Sequence, residues 1–164
     1  MARYLTQLSC RIIYFIPLKI LPNMYSFNIH YRDVQQDESW FRKLTSLRFS
    51  DFEALHEPFA KAWEDYFLNY TLEGKVRARK ASVRRNSIFA NTQEALFFAL
   101  VYFKGTVLQE ELASQFNIDQ PKASKYLFLM RRLLSETLKE NQKILPKPKL
   151  ERIKQAISVY ATAC

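Results

Sequence analysis

The side chains best suited to recognition chemistry in this chain cluster in the short segment 120–125. Four of its six residues carry polar or basic groups, namely Gln120, Lys122, Ser124 and Lys125. In the major groove of DNA, a glutamine amide can pair with adenine, a lysine can reach guanine or a phosphate, and a serine can bond to either. We therefore expect these side chains to contact base edges or nearby phosphates, and Arg131 and Arg132 further along to contact backbone phosphates.

Such side chains need a helix that presents them outward, and residues 108–134 fit a helix-turn-helix. Ala113 is small enough for two crossing helices to approach, and Asn117 tolerates the positive φ that the turn requires. Asp119 can cap the second helix, and Pro121 lies in its first turn, where a missing amide costs nothing. The inward positions are apolar: Leu112, Phe116, Ile118, Ala123 and Tyr126. Capped helix pairs also occur in proteins that bind no DNA, so a purely structural role stays open.

A second basic feature is the segment 75–87, which has no acidic residue and no apolar periodicity. It contains six cationic side chains: Lys75, Arg77, Arg79, Lys80, Arg84 and Arg85. This composition predicts a loop between helices. Such a loop can lie along a phosphate backbone or enter the minor groove, or it can simply be solvated, and both interpretations remain open.

The strongest helical signal outside these segments is the apolar run 95–103. Asn91 can cap a helix there, with Glu94 three residues later, and Gly105 marks its end. The run is apolar on nearly every face, so the helix must be buried on most sides. We therefore expect it to be the central helix of the domain.

Three more helices follow from spacing and capping signals. Residues 33–43 fit a short helix. Ser50 and Glu53 form a predicted capping box for a longer one, and Pro58 predicts a kink or a restart within it. Apolar residues recur at helical spacing in the segment 146–164. With no strand pattern beyond residue 40, the chain is predicted to be all-α, a small helical bundle.

Composition excludes several classes of site. The chain has 25 lysines and arginines against 16 acidic residues, a net charge of +9, which favours a polyanionic partner. Only two glycines occur, so phosphate-binding glycine loops and dinucleotide fingerprints are excluded. Two histidines and two cysteines cannot form a standard structural zinc site or a convincing nucleophile–histidine pair. No cofactor and no metal are therefore expected, and both histidines are assigned to packing or to the surface.

The first 38 residues differ from the rest and are predicted to be an N-terminal arm, disordered or strand-like. Their apolar stretch 11–21 is shorter than the roughly 20 residues that a membrane span needs, and Pro17 and Lys19 interrupt it. An interfacial anchor is the alternative that remains. Cys10 and Cys164 lie far apart in sequence, which favours a reducing compartment, the cytoplasm. The predicted organisation is an arm at 1–38, a helical domain at 39–145, and a helix or linker at 146–164.

Residues 41–157 resemble the N-terminal helix-turn-helix region of insertion-sequence DDE transposases. The resemblance rests on the order and spacing of short blocks: LTSL at 44–47, FEAL at 52–55, AW at 62–63, the basic loop, NTQEAL at 91–96, YFK at 102–104, and the turn region 112–126. Asn117 replaces the glycine that is usual in the turn. The resemblance implies that the chain binds double-stranded DNA and has no small-molecule substrate or membrane partner, and whether it forms a homo-oligomer stays open.

In such transposases a ribonuclease-H-like domain follows, in which two aspartates and one glutamate hold two divalent metal ions. The chain ends at Cys164, about where that domain would begin, and no predicted sheet could position such carboxylates. The resemblance therefore implies a DNA-binding module without its nuclease, and no enzymatic activity is expected. The competing hypothesis is a helical interaction or scaffold protein, with Trp40 and Trp63 as anchors, although core packing is the favoured role of Trp63.

Overall fold

A computed structural model describes residues 29–79, 88–105 and 107–159 of the chain. These residues form seven α-helices and no β-strand, so the predicted all-α class is confirmed. In chain order the helices are α1 (Tyr31–Val34), α2 (Glu38–Thr45), α3 (Phe49–Asn69), α4 (Thr92–Phe103), α5 (Gln109–Gln115), α6 (Gln120–Glu140) and α7 (Lys147–Val159). None of these helices is long and apolar enough to cross a bilayer.

Helix α4 lies at the centre of the fold, as its sequence predicts. It contacts each of the other six helices, and nine of its 12 residues are buried. The Asn91 side-chain oxygen accepts a hydrogen bond from the Glu94 backbone N–H at 2.8 Å, which confirms the predicted cap. Because an apolar helix buried on all sides removes hydrophobic surface from water around its whole circumference, α4 organises the packing of the others.

Helix α3 begins slightly earlier than its sequence predicts. Its first residue is Phe49, and the Arg48 backbone N–H donates to the Asp51 carboxylate at 3.2 Å. The capping box predicted at 50–53 is therefore wrong. The earlier start brings the Phe49 ring within 4.7 Å of the Phe41 ring, measured between centroids, so packing against α2 helps to decide where α3 begins.

Pro58 lies inside α3, which nevertheless continues as one helix of 21 residues. The predicted restart does not occur. Phe52, Leu55 and Phe59 of the same helix are completely buried. Each such side chain contributes about 1.5–3 kcal/mol on burial, and together they offset the roughly 3 kcal/mol that an internal proline costs.

The helical domain extends to residues before the boundary predicted at residue 39. Ile29, Tyr31 and Val34 are buried, and the Tyr31 ring stacks on Phe52 with centroids 4.9 Å apart. The Ile29 N–H also donates to the Gln115 carbonyl at 2.9 Å. Residues 29–38 therefore belong to the helical domain and not to an arm. The rest of the predicted arm, with its apolar stretch 11–21, lies outside the described residues.

The single helix predicted at 33–43 is interrupted and forms two helices, α1 and α2. Asp37 starts the second one, because its carboxylate accepts hydrogen bonds from the backbone N–H groups of Ser39 and Trp40 at 2.8 and 3.1 Å. An aspartate in this position satisfies amides that have no partner within the helix. The chain therefore turns between Val34 and Asp37 and not further on.

Within the segment predicted as a helix or a linker at 146–164, the described residues Lys147–Val159 form helix α7. Helix α7 packs against α4 and α6, with Leu150, Ile153 and Ile157 buried. An ion pair between Lys149 and Asp51 also joins α7 to α3. This helix is thus an integral part of the domain.

Candidate nucleic-acid interface

Helices α5 and α6 meet at a tight turn around Asn117. This residue has a φ of 51°, the left-handed conformation predicted for it. Its N–H donates to the Ser114 carbonyl at 3.1 Å, and the Ile118 N–H donates to the Ala113 carbonyl at 2.9 Å. This pair of hydrogen bonds is a Schellman motif, which ends a helix and satisfies its last carbonyls. The chain therefore folds here into helix, turn and helix, as predicted.

Apolar side chains hold this helix pair together and fix it to the core. Ala113 and Ala123 are buried where α5 and α6 pack on each other. Phe116 is buried against α4, and the Tyr126 ring stacks on Trp63 with centroids 6.1 Å apart. Trp63 packs against the core, the role favoured for it from sequence. The first turns of α6 thus have a rigid support, which a recognition surface needs.

The first two turns of α6 present the predicted recognition side chains to solvent. All four are exposed, and together we call them the α6 face: Gln120, Lys122, Ser124 and Lys125. The first turn contains no acidic residue. Asp119 is the residue before the helix, but its side chain makes no capping hydrogen bond, contrary to the prediction. Pro121 explains this difference in part, because it removes one of the two N–H groups that such a cap would bind.

The two arginines predicted to bind phosphates lie further along α6. At 1.5 Å per residue, Arg132 is about 15 Å from Lys122 along the helix axis. The Arg131 guanidinium carbon lies 5.1 Å from the centroid of the Phe128 ring. Arg132 Nε donates to Glu136 Oε1 at 3.0 Å, and this carboxylate raises the pKa of Arg132. Both guanidinium groups therefore already have neighbours on the helix that a phosphate would have to share or displace.

A short hairpin follows α3 and contains the start of the predicted basic loop. Tyr70 and Val76 form an antiparallel bridge, and the Arg77 N–H donates to the last residue of α3 at 2.8 Å. Gly74 occupies the bend with a φ of 78°, a conformation that side chains with a Cβ rarely adopt. We call residues 70–77 the hairpin. It is a structured element, whereas the sequence predicted only a loop.

The hairpin contacts the α6 face through an ion pair that the sequence did not predict. Lys125 Nζ lies 3.4 Å from Glu73 Oε1, and the side chains are 55% and 50% exposed. The pKa of Glu73 is lowered, first by a backbone hydrogen bond within the residue and then by Lys125. Glu73 and Asp119 line one cleft together with Lys122 and Lys125. The α6 face is therefore less positive than its own residues imply.

Three of the six predicted loop cations lie within the described residues. Lys75 and Arg79 are exposed. Arg77 Nε donates to the Tyr70 carbonyl at 2.8 Å, so this guanidinium holds the hairpin together and is not simply presented to solvent. The other three lie outside the described residues: Lys80, Arg84 and Arg85. Their predicted phosphate contacts stay predictions.

A buried carboxylate, Glu94, forms the polar centre of the fold. It is 6% exposed, its Oε2 accepts the Tyr31 N–H at 3.0 Å, and its Oε1 lies 3.1 Å from His30 Nδ1. The Tyr31 hydroxyl donates to Glu53, and burial together with this carboxylate raises the pKa of Tyr31. His56 bonds to the hydroxyl of the first residue of α4 at 2.8 Å. Both histidines thus join elements of the fold, as expected of packing residues.

Sequence reasoning missed the partners of Glu73 and Glu94 for the same physical reason. Lys125 is 52 residues from Glu73, and Tyr31 is 63 residues from Glu94, so no local pattern connects the partners. One signal existed for Glu94, because it is the single charged residue of a helix predicted to be buried on most sides. A charge in such a place needs hydrogen-bond partners.

Comparison with protein-family models, with curated proteins and with solved structures finds no match for this chain. Within the part of the chain that the structure describes, no three histidine, cysteine or acidic side chains are grouped as metal ligands would be. The ground for inferring a function is therefore the geometry of α5, the turn and α6.

Proposed function

We propose that α5, the turn and α6 form a DNA-binding helix-turn-helix, with the α6 face in the major groove of double-stranded DNA. The observation that carries this proposal is the exposure of Lys122 and Lys125 at the start of a helix whose entry angle is fixed by the turn at Asn117. A helix presented in this way fits the width of the major groove. Gln120 and Ser124 on the same turns supply groups that can bond to base edges.

The distribution of charge along α6 supports this orientation. From its first residue to Ser135 the helix has two lysines and two arginines and no acidic residue. The first acid, Glu136, is bound to Arg132. Lys122 and Lys125 would therefore meet base edges or the nearest phosphates, and Arg131 and Arg132 would meet phosphates where the helix leaves the groove.

The ion pair between Glu73 and Lys125 is compatible with DNA binding. An exposed pair of this kind contributes little to stability, because water screens both charges. A phosphate that approaches Lys125 releases counterions from the duplex and gains more than this. Glu73 is thus an acid that DNA displaces, and it keeps the affinity of the α6 face below its maximum.

The sequence blocks that resemble those of insertion-sequence transposases specify the type of DNA-binding module that we propose. We propose a DNA-binding module of that type, acting on double-stranded DNA in the cytoplasm. The last of those blocks, 112–126, lies within the helix pair at 109–140. The transposase relationship rests on the sequence alone.

A second candidate function is a helical interaction or scaffold protein. Two aromatic side chains favour it, because Trp40 is 40% exposed and Phe128 is 62% exposed. Exposed aromatic rings are frequent anchors of protein interfaces. A scaffold of this kind would not bind DNA with an affinity that rises with the length of the duplex.

The decisive experiment is the binding of the full chain to short fluorescent duplexes of increasing length, followed by anisotropy at several salt concentrations. We expect affinity to fall steeply with salt, and Lys122→Ala/Lys125→Ala to weaken binding by about 1–3 kcal/mol. The matched control is Lys61→Ala/Lys143→Ala, which removes two exposed lysines elsewhere. If both variants lost the same affinity, the effect would come from net charge alone. That result would contradict the α6 face as the binding site. No binding at low salt would favour the scaffold.

A further inference from the structure

We propose that the cleft between α2 and α7 is a binding site for phosphate groups, separate from the α6 face. The cleft is open and has a volume of about 580 Å³. Six residues line it: Glu38, Ser39, Arg42, Lys43, Ser46 and Arg152. Three of them are cationic and one is acidic, so an excess of positive charge is concentrated in one concave place. None of these residues lies in the clefts beside the α6 face.

The cations of this cleft have no ionic partner within the described residues. Arg42, Lys43 and Arg152 are exposed, and their side chains form neither a hydrogen bond nor an ion pair there. The neighbouring lysines of α7 behave differently. Lys149 is paired with an aspartate of α3, and Lys154 is paired with a glutamate of α7. Arg152 lies between these two in sequence, lines the cleft and forms no ion pair with a carboxylate among the described residues.

The chemistry of the lining matches an oxyanion with more than one negative charge. Guanidinium groups from two helices, Arg42 and Arg152, can each donate two parallel hydrogen bonds to the oxygens of a phosphate. The lysine adds a point charge, and the hydroxyls of Ser39 and Ser46 add neutral donors. These three cations line the same cleft, and a bound anion would offset the repulsion between their like charges.

A purely structural role accounts for only part of this arrangement. Arg42 and Lys43 lie in the last turn of α2, where positive charge interacts favourably with the helix dipole. Arg152 belongs to α7 and lines the same cleft. Stabilisation of the α2 terminus explains two of the cations, whereas a bound phosphate explains all three.

Phosphate groups have two sources, the backbone of a nucleic acid and a small polyphosphate. The probe for the site itself is inorganic tripolyphosphate, titrated into the full chain by calorimetry. Arg42→Gln/Arg152→Gln should weaken its binding at least about tenfold, since hydrogen bonds between charged groups are stronger than neutral ones. The matched control Lys61→Gln/Lys143→Gln, which removes the same charge, should keep most of the affinity. Equal affinity of the arginine variant and the original chain would overturn the proposal, as would equal losses in both variants.

Amide chemical shifts of the unaltered chain give a second measurement that does not depend on the variants folding. Tripolyphosphate should move the resonances of Ser39, Ser46 and Arg152 first. Chemical-shift changes confined to residues 120–125 would contradict a binding site in the cleft between α2 and α7. A short duplex that displaces tripolyphosphate from the cleft would identify a nucleic-acid backbone as the source, and a duplex that does not would identify a small polyphosphate. Because the probe is not DNA, failure of the helix-turn-helix proposal leaves this result unaffected.

Discussion

Helix α4 and the start of α6 use their side chains in opposite ways. Nine of the 12 residues of α4 are buried, and its one charged side chain has two hydrogen-bond partners. In the first two turns of α6, by contrast, the polar and basic side chains face solvent, and Ala123 anchors them from behind. This difference indicates that stability and recognition depend on different residues of this fold. Substitutions should therefore change one property without the other.

Among the substitutions that test this difference, we expect Phe97→Ala in α4 to have the largest effect on the free energy of unfolding. The Phe97 ring is completely buried and lies 5.9 Å from the rings of both Tyr31 and Phe41, measured between centroids. Removing it leaves a cavity, and we expect the free energy of unfolding to fall by about 3–5 kcal/mol. Urea denaturation followed by circular dichroism measures this change.

The control for that experiment comes from the α6 face. Lys122→Ala/Lys125→Ala should change the free energy of unfolding by no more than about 0.5 kcal/mol, because both side chains are exposed. A loss in this variant comparable to that of Phe97→Ala would contradict the separation of stability from recognition.

We expect a smaller effect on stability at Asn117, a residue on which both stability and recognition depend. Valine is β-branched and strained at a φ of 51°, so Asn117→Val should cost about 1–2 kcal/mol of unfolding free energy. Asn117→Gly adopts the same conformation without strain and serves as the control. We also expect the valine variant to bind a duplex more weakly at temperatures where it is fully folded, because the turn sets the direction of α6. Thermal melting and anisotropy measure the two effects, and equal behaviour of the valine and glycine variants would contradict the role of the turn.

The smallest effect concerns the acid beside the α6 face. Glu73→Gln frees Lys125 from its partner, and we expect duplex affinity to rise by less than about fivefold, the range of an exposed ion pair. Glu64→Gln, an exposed acid of α3, has the same change in charge and controls for it. An equal rise in both variants would show that only net charge matters.

The dependence of this effect on pH has a definite sign. The pKa of Glu73 is lowered, so the pair is present above the ordinary carboxyl value of 4.5 and is lost as the pH falls through the lowered pKa. The difference in affinity between the original chain and Glu73→Gln should therefore persist in mild acid and disappear only in stronger acid. Anisotropy over that range measures it, and a difference that vanished near neutral pH would count against the pairing.

What the sequence predicted correctly depends on neighbours along the chain. The all-α class, the buried helix after Asn91 and the bend at Asn117 follow from spacing, capping and backbone preference within a few residues. The predictions that were wrong are also instructive. The restart predicted at Pro58 does not occur in α3, and residues 29–38 are part of the domain, because burial against distant helices outweighs a local signal.

The candidate site was predictable only in part. Its exposed side chains could be named from the segment 120–125, because a helix start and an outward face are local properties. The hairpin and its contact with Lys125 could not, because Lys125 lies 52 residues after Glu73 and the contact depends on how α3 ends relative to α6. The cleft between α2 and α7 escaped for the same reason, since Arg152 and Arg42 come from opposite ends of the domain.

The hydrogen bonds of Glu94 also limit how far this protein can be trimmed from its front. A version starting after Tyr31 would delete both groups that meet the carboxylate, and a negative charge would be stranded in an apolar interior. Shortened forms intended for crystallisation or labelling should therefore retain His30. The same reasoning makes this residue a poor choice for attaching a dye or a tag.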